Sequence, residues 1–554
     1  MYVLTLALSA MALFAVAYFL YGRLLARVFQ VDNRRVTPAH AVNDGVDYVP
    51  TRVSALLPQH FSAIAAAGPI VGPILAGLWF GWLPALLWIV FGNIFIGAMH
   101  DFASLMVSLR HRARSITEVV REEMGNRAYL LFLTFVWISL MYVITAFTDL
   151  TASTFTAKEV GGGVASASFL YLLLSIAMGI AMTRFRCPLW IATAVALPLL
   201  ALIIWSSQYL PVVLPASLAS NPNKGWDLLI LVYCALASVL PIWLLLQPRG
   251  YLGGYFLYAA LGVGLLGLLF GGYTVEYPAY VGYTNPKGAP LFPILFITVA
   301  CGACSGFHGL VCSGTSSKQL AQEDDAHTIG YGGMLLEGLV ALVALATIMI
   351  FAPGDPALAK GPTEIYANGL ARFAHLLGVP IGVAVSFGLL AFATFVYDTL
   401  DVATRLGRYI FQELTGWQGQ PGRIVGTVAT LAVPLYFLMT TQDAAYLTFW
   451  PLFGASNQLL AALSLLGISV WMIKRDRNPL YTVLPMLFIL IMTLWALARF
   501  TQPWLQNGGM PDMNGGIAAL LIGLTFFLFM EAFRVIIRHR RARGEAPATP
   551  IPSE

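Results

Sequence analysis

The chain has 554 residues, of which 58% are hydrophobic and 10% are charged, and its mean hydropathy is +0.77. Soluble domains contain roughly 45 to 50% apolar and about 25% charged residues, so the composition excludes a soluble globular protein and indicates an integral membrane protein. The formal charge of +5 is explained better by membrane topology than by a nucleic-acid partner. Five cysteines, an odd number, lie in or beside hydrophobic segments, which argues against a secreted-type disulfide framework.

Hydrophobic runs of about 20 residues, long enough to cross about 30 Å of hydrocarbon, recur along almost the whole chain. We therefore predict an all-α polytopic membrane protein that forms one helical bundle. The first run is expected to be a helix and not a signal peptide, since no Lys or Arg precedes it. About fifteen membrane-spanning helices are expected, with the approximate limits 3–22, 60–80, 83–108, 128–156, 168–183, 188–206, 226–247, 251–271, 291–313, 334–351, 379–397, 424–440, 446–472, 481–499 and 516–537.

The basic residues are distributed unevenly between the two sides of the predicted bundle. When the loops are assigned alternately to the two sides, 25 of the 31 lysines and arginines fall on one side and 6 on the other. Cytoplasmic loops carry the excess of Lys and Arg. The amino terminus is therefore expected outside and the carboxyl terminus in the cytoplasm.

The second predicted span contains the stretch AIAAAGPIVGP, with the two steps Gly68-Pro69 and Gly72-Pro73 in its second half. Proline removes a backbone N–H and frees a carbonyl, and each unpaired group costs several kcal/mol in hydrocarbon. Glycine alone is common in membrane helices because it allows close packing, but proline adds a kink that close packing does not require. The stretch predicts a broken helix.

The ninth predicted span holds a second interruption, CGACSGFHGLVCSGT at 301–315, and crosses the membrane in the opposite direction. Two interrupted helices of opposite direction in corresponding positions are typical of secondary transporters built from inverted repeats. We expect a first helix with a loop, a five-helix repeat, an inserted helix pair, a second five-helix repeat, two extra helices and a disordered tail. These parts correspond to 1–59, 60–206, 207–290, 291–472, 473–543 and 544–554.

A broken helix near the membrane midplane presents N–H groups at the positive end of one half and carbonyls at the negative end of the other. The first can bind a carboxylate and the second a cation, which suits uptake of a small carboxylate, amino acid or short peptide together with an ion. The expected substrate-binding residues lie at the two breaks and are Ala67, Gly68, Pro69, Ser305, Gly306 and His308.

Ionisable side chains inside a membrane are costly, so each of them is a candidate for function. His100 and Asp101 in the third span are interpreted either as a proton-accepting pair that couples transport to an ion, or as hydrogen-bonded structural groups. His60 is placed with the coupling residues, because it and His308 occupy roughly corresponding positions at the two breaks.

Asp398, Asp401 and Arg405 lie at the inner end of the eleventh span, where Asp401 and Arg405 have the favourable i,i+4 order of an ion pair. They are expected to hold an intracellular gate or, alternatively, to belong to a plain cytoplasmic helix end. Three further acidic residues lie near predicted helix ends and are expected to be structural: Glu337, Asp149 and Glu531. Two amides are expected to make interhelical hydrogen bonds: Asn457 and Gln458.

No metal or cofactor is expected. Cys301, Cys304, His308 and Cys312 offer soft ligands, but on a regular helix the first and last are about 16 Å apart, too far for one ion. Only a subset could bind a metal in an unwound helix. Walker A, GxSxG, HExxH and dinucleotide-binding motifs are missing from the sequence, so neither ATP hydrolysis nor another enzyme activity is expected.

Six stretches, in order over most of the chain, resemble the carbon starvation protein A family. They are NDGVDYVPT (43–51), HFSAIAAAGPIVGPILA (60–76), GWLPALLWIVFGNIFIGAMHDF (81–102), SGFHGLVCSGTSSKQ (305–319), TLDVATRLGRYIFQEL (399–414) and WPLFGASNQLLAALSL (450–465). The resemblance implies a multi-pass transporter of a bacterial or archaeal inner membrane, related to the LeuT-type inverted-repeat superfamily. It also implies pyruvate or short peptides as substrates and a proton as the coupling ion.

The sequence therefore predicts an ion-coupled secondary transporter that imports small carboxylates or short peptides by alternating access. Two other classes stay open, a membrane sensor that binds a metabolite without moving it and a channel. The expected partners are the substrate, a coupling ion and the lipid bilayer, with no nucleic acid. The sequence leaves open the choice between H⁺ and Na⁺ and the oligomeric state.

Overall fold

The computed structural model describes residues 2–45, 47–215, 221–241, 243–417, 419–441, 444–506 and 513–544. Within these residues the regular structure is helical, apart from three isolated bridges. This confirms the predicted all-α class. Residues 545–554 of the predicted disordered tail lie outside the described residues.

The first helices of the chain lead to and follow the first break. They are α1 (Val3–Ala17), α2 (Arg23–Val28), α3 (Pro38–Val42), α4 (Val53–Ile64), α5 (Gly68–Phe80), α6 (Trp82–Gly92) and α7 (Ala98–Arg110). π-helical turns at Tyr18–Gly22 and Asn93–Gly97 join α1 to α2 and α6 to α7. Val3–Val28 and Trp82–Arg110 are therefore two continuous long helices.

The middle of the chain contains a short polar helix followed by five longer ones. They are α8 (Ile116–Met124), α9 (Asn126–Phe155), α10 (Gly161–Arg184), α11 (Leu189–Ser206), α12 (Pro222–Val239) and α13 (Leu246–Phe270).

The last part of the chain contains the second break and the longest helices. They are α14 (Leu291–Thr298), α15 (Gly306–Gly314), α16 (Gly333–Met349), α17 (Pro362–His375), α18 (Ile381–Thr415), α19 (Gly419–Thr440), α20 (Ala445–Lys474), α21 (Leu480–Gln506) and α22 (Met513–Gly544). A π-helical turn at His327–Gly332 extends α16 at its start, giving a continuous helix His327–Met349.

Each of the fifteen predicted spans overlaps a helix or a helix pair of the structure. Within the described ranges, twelve helices are long and apolar enough to cross a membrane, and thirteen if the bent pair α4 and α5 forms one span. The other two predicted spans correspond to α12 and to the pair α14 and α15. The chain is thus a multi-pass membrane protein, while the count of fifteen stays a prediction.

The loop predicted between the seventh and eighth spans is displaced. The seventh span was expected at 226–247, whereas α12 ends at Val239 and α13 begins at Leu246. Pro241 explains the early end, since proline cannot donate to a helix and disfavours the α conformation in the residue before it. Leu240 is accordingly extended, with φ −67° and ψ 150°. Arg249, counted as a loop residue in the predicted topology, lies inside α13.

Helix α17 has no counterpart among the predicted spans. It has only 14 residues and carries Glu364 and Asn368 one turn apart on one face. Its other face buries Ile365 and Tyr366. A helix of this amphipathic composition is buried in the bundle but falls below the hydropathy of a membrane span, so a search for apolar runs misses it.

Helix α20 lies at the centre of the bundle. Of its most apolar 18 residues, 94% are buried, against 17% for the helix Leu189–Tyr209, which contains α11. The exposed side of α11 carries Trp190 and Trp205. In a membrane protein, an outer helix that exposes large apolar side chains is one that faces lipid.

The first broken helix is interrupted just before its predicted position. α4 ends at Ile64 and α5 begins at Gly68, with a bend of 48° between the two helices. Pro69 lies in the first turn of α5, where its missing N–H costs no helical hydrogen bond, and Pro73 lies inside α5. The expectation that the Gly-Pro steps break the second half of this helix is therefore wrong, because the interruption is the segment 65–67 ahead of them.

The second helix is broken as predicted, and the two breaks cross each other in close contact. An added Cβ at Gly68 would overlap the side chain of Cys301, and one at Gly72 would come within 3.2 Å of Val299 Cα. On the other side, a Cβ at Gly302 would lie 3.5 Å from Pro69 Cα. Close packing and a helix break were the two alternative explanations for these glycines. Both apply, because the glycines allow close packing at the break itself.

We expect Gly68→Leu to lower the melting temperature of the purified protein, because the larger side chain would overlap Cys301 where the breaks cross. Overpacking of this kind costs about 1 to 3 kcal/mol. The matched control is Gly262→Leu in α13, where an added Cβ meets no atom within 4 Å. Thermal unfolding in detergent measures both variants, and equal melting temperatures would show that the crossing tolerates the added volume.

On the side predicted to be cytoplasmic, Glu123 connects α8 to the end of α20. Its carboxylate accepts hydrogen bonds from His111 Nε2 at 3.0 Å and Arg475 Nη1 at 2.8 Å, and lies 2.7 Å from Lys474 Nζ. Burial alone would raise the pKa of Glu123, but these three partners outweigh burial and lower the pKa to about 2. The contacts fix α8 against the central helix.

The pKa of Glu123 falls on folding from 4.5 to about 2. The ionised carboxylate therefore stabilises the folded protein at pH values above 4.5, and this stabilisation is lost as the pH approaches 2. We expect Glu123→Gln to lower the melting temperature at neutral pH, with the gap to the parent protein narrowing between about pH 5 and pH 2. Glu531→Gln, which removes an exposed pair with Arg534, is the control. A gap for Glu123→Gln that does not change with pH would assign the contact to packing instead of charge.

Candidate functional site

Four ionisable side chains form a continuous buried chain, here termed the histidine–carboxylate cluster: His100, Asp101, His308 and Glu337. His100 Nδ1 lies 2.8 Å from Asp101 Oδ1, and His308 Nδ1 lies 3.0 Å from Asp101 Oδ2. On its other side, His308 Nε2 lies 3.3 Å from Glu337 Oε2. All four side chains are at most 1% exposed. Buried charges are stable only when paired, so these groups form one electrostatic unit.

The broken and π-interrupted helices place this cluster. His308 lies in the first turn of α15, directly after the second break, while His100 and Asp101 follow the π-helical turn that starts α7. Such turns change the direction in which the following side chains point and are frequent at functional sites. The structure thus brings His100 and Asp101 of the third predicted span together with His308 of the ninth.

Glu337 was expected near a helix end. It lies instead near the middle of the continuous helix His327–Met349, because that helix begins seven residues before the predicted start. Neither carboxylate oxygen of Glu337 has a hydrogen-bond partner among the described residues, and its nearest ionisable neighbour is His308. Sequence reasoning gave Glu337 a structural role, whereas a buried carboxylate near the middle of a candidate membrane span is a candidate for function.

His60 lies at the edge of the histidine–carboxylate cluster. Its Nδ1 lies 2.7 Å from Ser316 Oγ, and its Nε2 has no partner in the described part of the chain. A Cβ at Gly333 would come within 3.0 Å of the imidazole of His60, and Gly333 precedes Glu337 by one turn on α16. His60 therefore approaches the same face of α16 as Glu337.

The N-terminal end of α15 is capped by Asn457 of α20. Asn457 Oδ1 accepts the backbone N–H of Phe307 at 2.9 Å, and its Nδ2 donates to Ser305 Oγ at 3.0 Å and to Cys301 Sγ at 3.2 Å. Gly306 packs directly against the backbone of α20. In this arrangement a side chain takes the N–H that was expected to hold substrate, and the role of Ser305 and Gly306 in substrate binding stays a prediction.

Carbonyls near the second break are also bound by side chains from other helices. Gln458 Nε2 donates to the Phe296 carbonyl at 2.7 Å, Trp450 Nε1 to the Thr298 carbonyl at 3.2 Å, and Trp88 Nε1 to the Val299 carbonyl at 3.1 Å. Freed backbone groups at membrane depth are tolerated only when they find such partners. The interhelical hydrogen bonds expected of Asn457 and Gln458 are present.

A second buried ionic centre lies between α12, α13 and α18, here termed the Arg249 centre: Arg249, Asp398, Asp401 and Tyr233. Arg249 donates to Asp398 Oδ1 from Nη2 at 2.7 Å and from Nε at 3.0 Å, and its Nη1 lies 2.7 Å from Asp401 Oδ2. The Tyr233 hydroxyl contacts Arg249 and donates to Asp401 Oδ2 at 2.9 Å. Ser62 of α4 donates to Asp398 Oδ2 at 3.4 Å.

The predicted ion pair between Asp401 and Arg405 is wrong. Arg405 Nη2 instead donates to the carbonyls of Ala237 and Leu240, at 2.7 and 2.8 Å, where α12 ends and leaves backbone acceptors unbonded. Asp398 and Asp401 are also not at a helix end, because α18 continues to Thr415. Asp401 therefore pairs with Arg249 from another helix and not with Arg405, four residues later on its own helix.

Arg249 was missed by sequence reasoning, which counted it as a cytoplasmic loop charge. One signal could have found it: Arg249 is the only charged residue between Asp227 and Glu276. A lone arginine within so long an apolar stretch requires a buried counter-ion.

The described residues contain no group of three or more His, Cys, Asp or Glu side chains arranged to hold a metal ion. Cys301, Cys304 and Cys312 are free and buried.

Comparison with known proteins identifies the class of this chain. Residues 2–357 and 354–496 match the family model described as "Carbon starvation protein CstA". The chain therefore belongs to the carbon starvation protein CstA family, as the resemblance of its motifs predicted.

Curated relatives carry transporter names. The "Peptide transporter CstA" of Escherichia coli (strain K12) is 32% identical, over 93% of this chain and 83% of the relative. The "Peptide transporter CstA" of Helicobacter pylori (strain J99 / ATCC 700824) is also 32% identical, over 89% and 81%. The "Pyruvate/proton symporter BtsT" of Escherichia coli (strain K12) is 33% identical, over 89% and 81%. These relatives identify the chain as a secondary transporter.

Among solved structures, a manganese transporter of Eremococcus coleocola aligns with 88% of this chain and 95% of its own, with a TM-score of 0.45 and 14% identity.

We expect Arg249→Met to destabilise the protein strongly, because two buried carboxylates would lose their cation. Removing one partner of a buried ion pair costs about 3 to 5 kcal/mol. The triple variant that adds Asp398→Asn and Asp401→Asn should recover part of the loss, since the uncompensated charge is removed. Arg423→Met, at an exposed position of α19, is the control, and an equal melting temperature for the two single variants would contradict the structural importance of the centre.

Proposed function

We propose that the chain is a proton-coupled symporter that imports a small carboxylate such as pyruvate, or a short peptide, by alternating access. The observation that carries the proposal is the histidine–carboxylate cluster, which joins α7, α15 and α16 directly beside the crossing of the two broken helices. The names of the relatives, a pyruvate/proton symporter and peptide transporters, support the same substrate classes. The chain then moves solutes without catalysing a reaction.

The charge balance of the histidine–carboxylate cluster suits binding of one proton. With Asp101 and Glu337 ionised and His308 protonated, the cluster carries one uncompensated negative charge in a buried site. One further proton makes it neutral, and an isolated buried charge is far more costly than a neutral group. Proton binding therefore favours the closed, buried arrangement, which is the property a coupling site requires.

The substrate site of the proposal lies where the breaks cross, with Ala67, Gly68 and Pro69 on one side and Ser305, Gly306 and His308 on the other. Cys301 lies between these two sets, since it contacts Gly68 and accepts a hydrogen bond from Asn457. A substrate carboxylate that replaced Asn457 at the N–H groups of α15 would meet the positive end of that helix. His308 in the same turn would then link substrate and proton.

The proposed architecture is a LeuT-type 5+5 inverted repeat, with 60–206 and 291–472 as the two repeats and 207–290 as the inserted pair. The positive-inside asymmetry supports an outer amino terminus and a cytoplasmic carboxyl terminus in a bacterial or archaeal inner membrane. The Arg249 centre takes the place of the predicted gate, with Asp398 and Asp401 paired to Arg249 and with Arg405 fixing the end of α12.

Uptake by purified protein in proteoliposomes tests the proposal. Radiolabelled pyruvate and dialanine are offered with and without an inward proton gradient, and a sodium gradient is the comparison. Uptake above the equilibrium level with the proton gradient supports symport. Uptake that only equilibrates indicates a channel, and binding without uptake indicates a sensor.

We expect Glu337→Gln to lose proton-driven accumulation by about tenfold or more while retaining exchange of labelled for unlabelled substrate, because an amide cannot carry the coupling proton. Accumulation and exchange are measured in the same proteoliposomes. Glu531→Gln, on the outer helix α22, is the control and should accumulate substrate like the parent protein. Full accumulation by Glu337→Gln would remove this residue from the coupling step.

A further inference from the structure

Asp227 on α12 is a buried carboxyl group that the proposed mechanism does not use. It is 0% exposed, and neither of its oxygens has a hydrogen-bond partner among the described residues. An ionised carboxylate in such a position is far more costly than a protonated one. It belongs neither to the histidine–carboxylate cluster nor to the Arg249 centre.

A polar pocket lies one helical turn from Asp227. Asn223, four residues earlier on α12 and so on the same helix face, donates to Asp149 Oδ1 at 3.0 Å, and Asp149 Oδ2 accepts the backbone N–H of Tyr446 at 2.8 Å. These three residues and Thr156 line a pocket of about 360 Å³. It lies at the end of the bundle that the charge asymmetry assigns to the outside, so water from that side reaches the turn above Asp227.

The charged groups around Asp227 leave it without a direct counter-ion. Asp149 on α9 and Lys224 on α12 are the charged groups that act on it, and the Lys224 ammonium donates to the Leu438 carbonyl of α19. Helix α18 packs against α12, and its four buried charged side chains have other partners. Asp398 and Asp401 pair with Arg249, while Arg405 and Arg408 donate to the carbonyls of Ala237 and Ser238.

We propose that Asp227 is a second proton-binding site, loaded through the outer pocket before the outer end of the transporter closes. In the arrangement seen here the carboxyl group keeps its proton, since it is fully buried and neither oxygen has a hydrogen-bond partner among the described residues. When α12 separates from α9, water from the pocket reaches Asp227, which releases its proton to that water as it ionises. Closing again requires that one proton return from the outside to the carboxylate.

This inference rests on the proposed transport function, but its signature is separate from proton-driven accumulation. Exchange of labelled for unlabelled substrate moves no net proton, yet each cycle must close the outer end. The protonated fraction of a carboxyl group falls about tenfold per pH unit above its titration midpoint. Exchange by the parent protein should therefore slow as the pH is raised equally on both sides.

The experiment measures exchange in proteoliposomes at equal inside and outside pH between 5 and 9, with whichever of radiolabelled pyruvate and dialanine the parent protein takes up. The variants are Asp227→Asn and Asp227→Glu. The control is Glu364→Gln on α17, which removes the ion pair of Glu364 with Lys360. Asp227→Asn mimics the protonated group, so its exchange should persist at high pH where that of the parent protein has fallen about fivefold or more. Asp227→Glu should restore the fall, and Glu364→Gln should follow the parent protein.

Three results would overturn the inference. They are an Asp227→Asn profile identical to that of the parent protein, exchange by the parent protein that does not depend on pH, and a folded Asp227→Asn variant that is inactive at every pH. Folding is checked by gel filtration and thermal unfolding. Failure of the parent protein to accumulate or exchange substrate would instead refute the proposed function, so the two failures are distinguishable.

Discussion

The structure depends on one constraint, the need of every backbone N–H and carbonyl inside hydrocarbon to find a partner within the protein. The second break frees several such groups, and side chains from α6 and α20 bind them. This fits the central place of α20, whose most apolar 18 residues have the largest buried share among the candidate membrane spans of the described residues. It carries the amide and indole groups that make the break possible, so the break and the central helix are fixed relative to each other.

The same constraint governs the charged side chains. The histidine–carboxylate cluster and the Arg249 centre each combine residues from three helices, so that neither set is complete on one helix. Buried groups of this kind are costly when one partner is removed and specify a unique arrangement of their helices when complete. The buried ionic contacts therefore also hold the helices of the bundle together.

Sequence reasoning found most of the long helices and both broken segments, because hydropathy and clusters of glycine and proline are local signals. It failed where the outcome depends on a distant residue. The break before Gly68 was misplaced because proline is harmless in a first helical turn, and α17 was missed because only the assembled bundle buries its apolar face. The sequence could not predict that Asp401 pairs with Arg249 instead of Arg405. Arg249 lies on α13 and Asp401 on α18, so their contact depends on how these two helices pack. His100, Asp101 and His308 were found as candidates, while their functional roles stay predictions.

The short helix α4 makes one contact near each of the two ionic centres. His60 and Ser62 lie about 200° apart around its axis, so one face touches Ser316 beside the cluster and the other touches Asp398. If α4 moves as one body, a shift of the helix at one centre also changes its contact at the other. A ligand that displaces α4 when it binds at one centre would therefore change the state of the second centre. By thermodynamic reciprocity, the state of the second centre would change the affinity for that ligand.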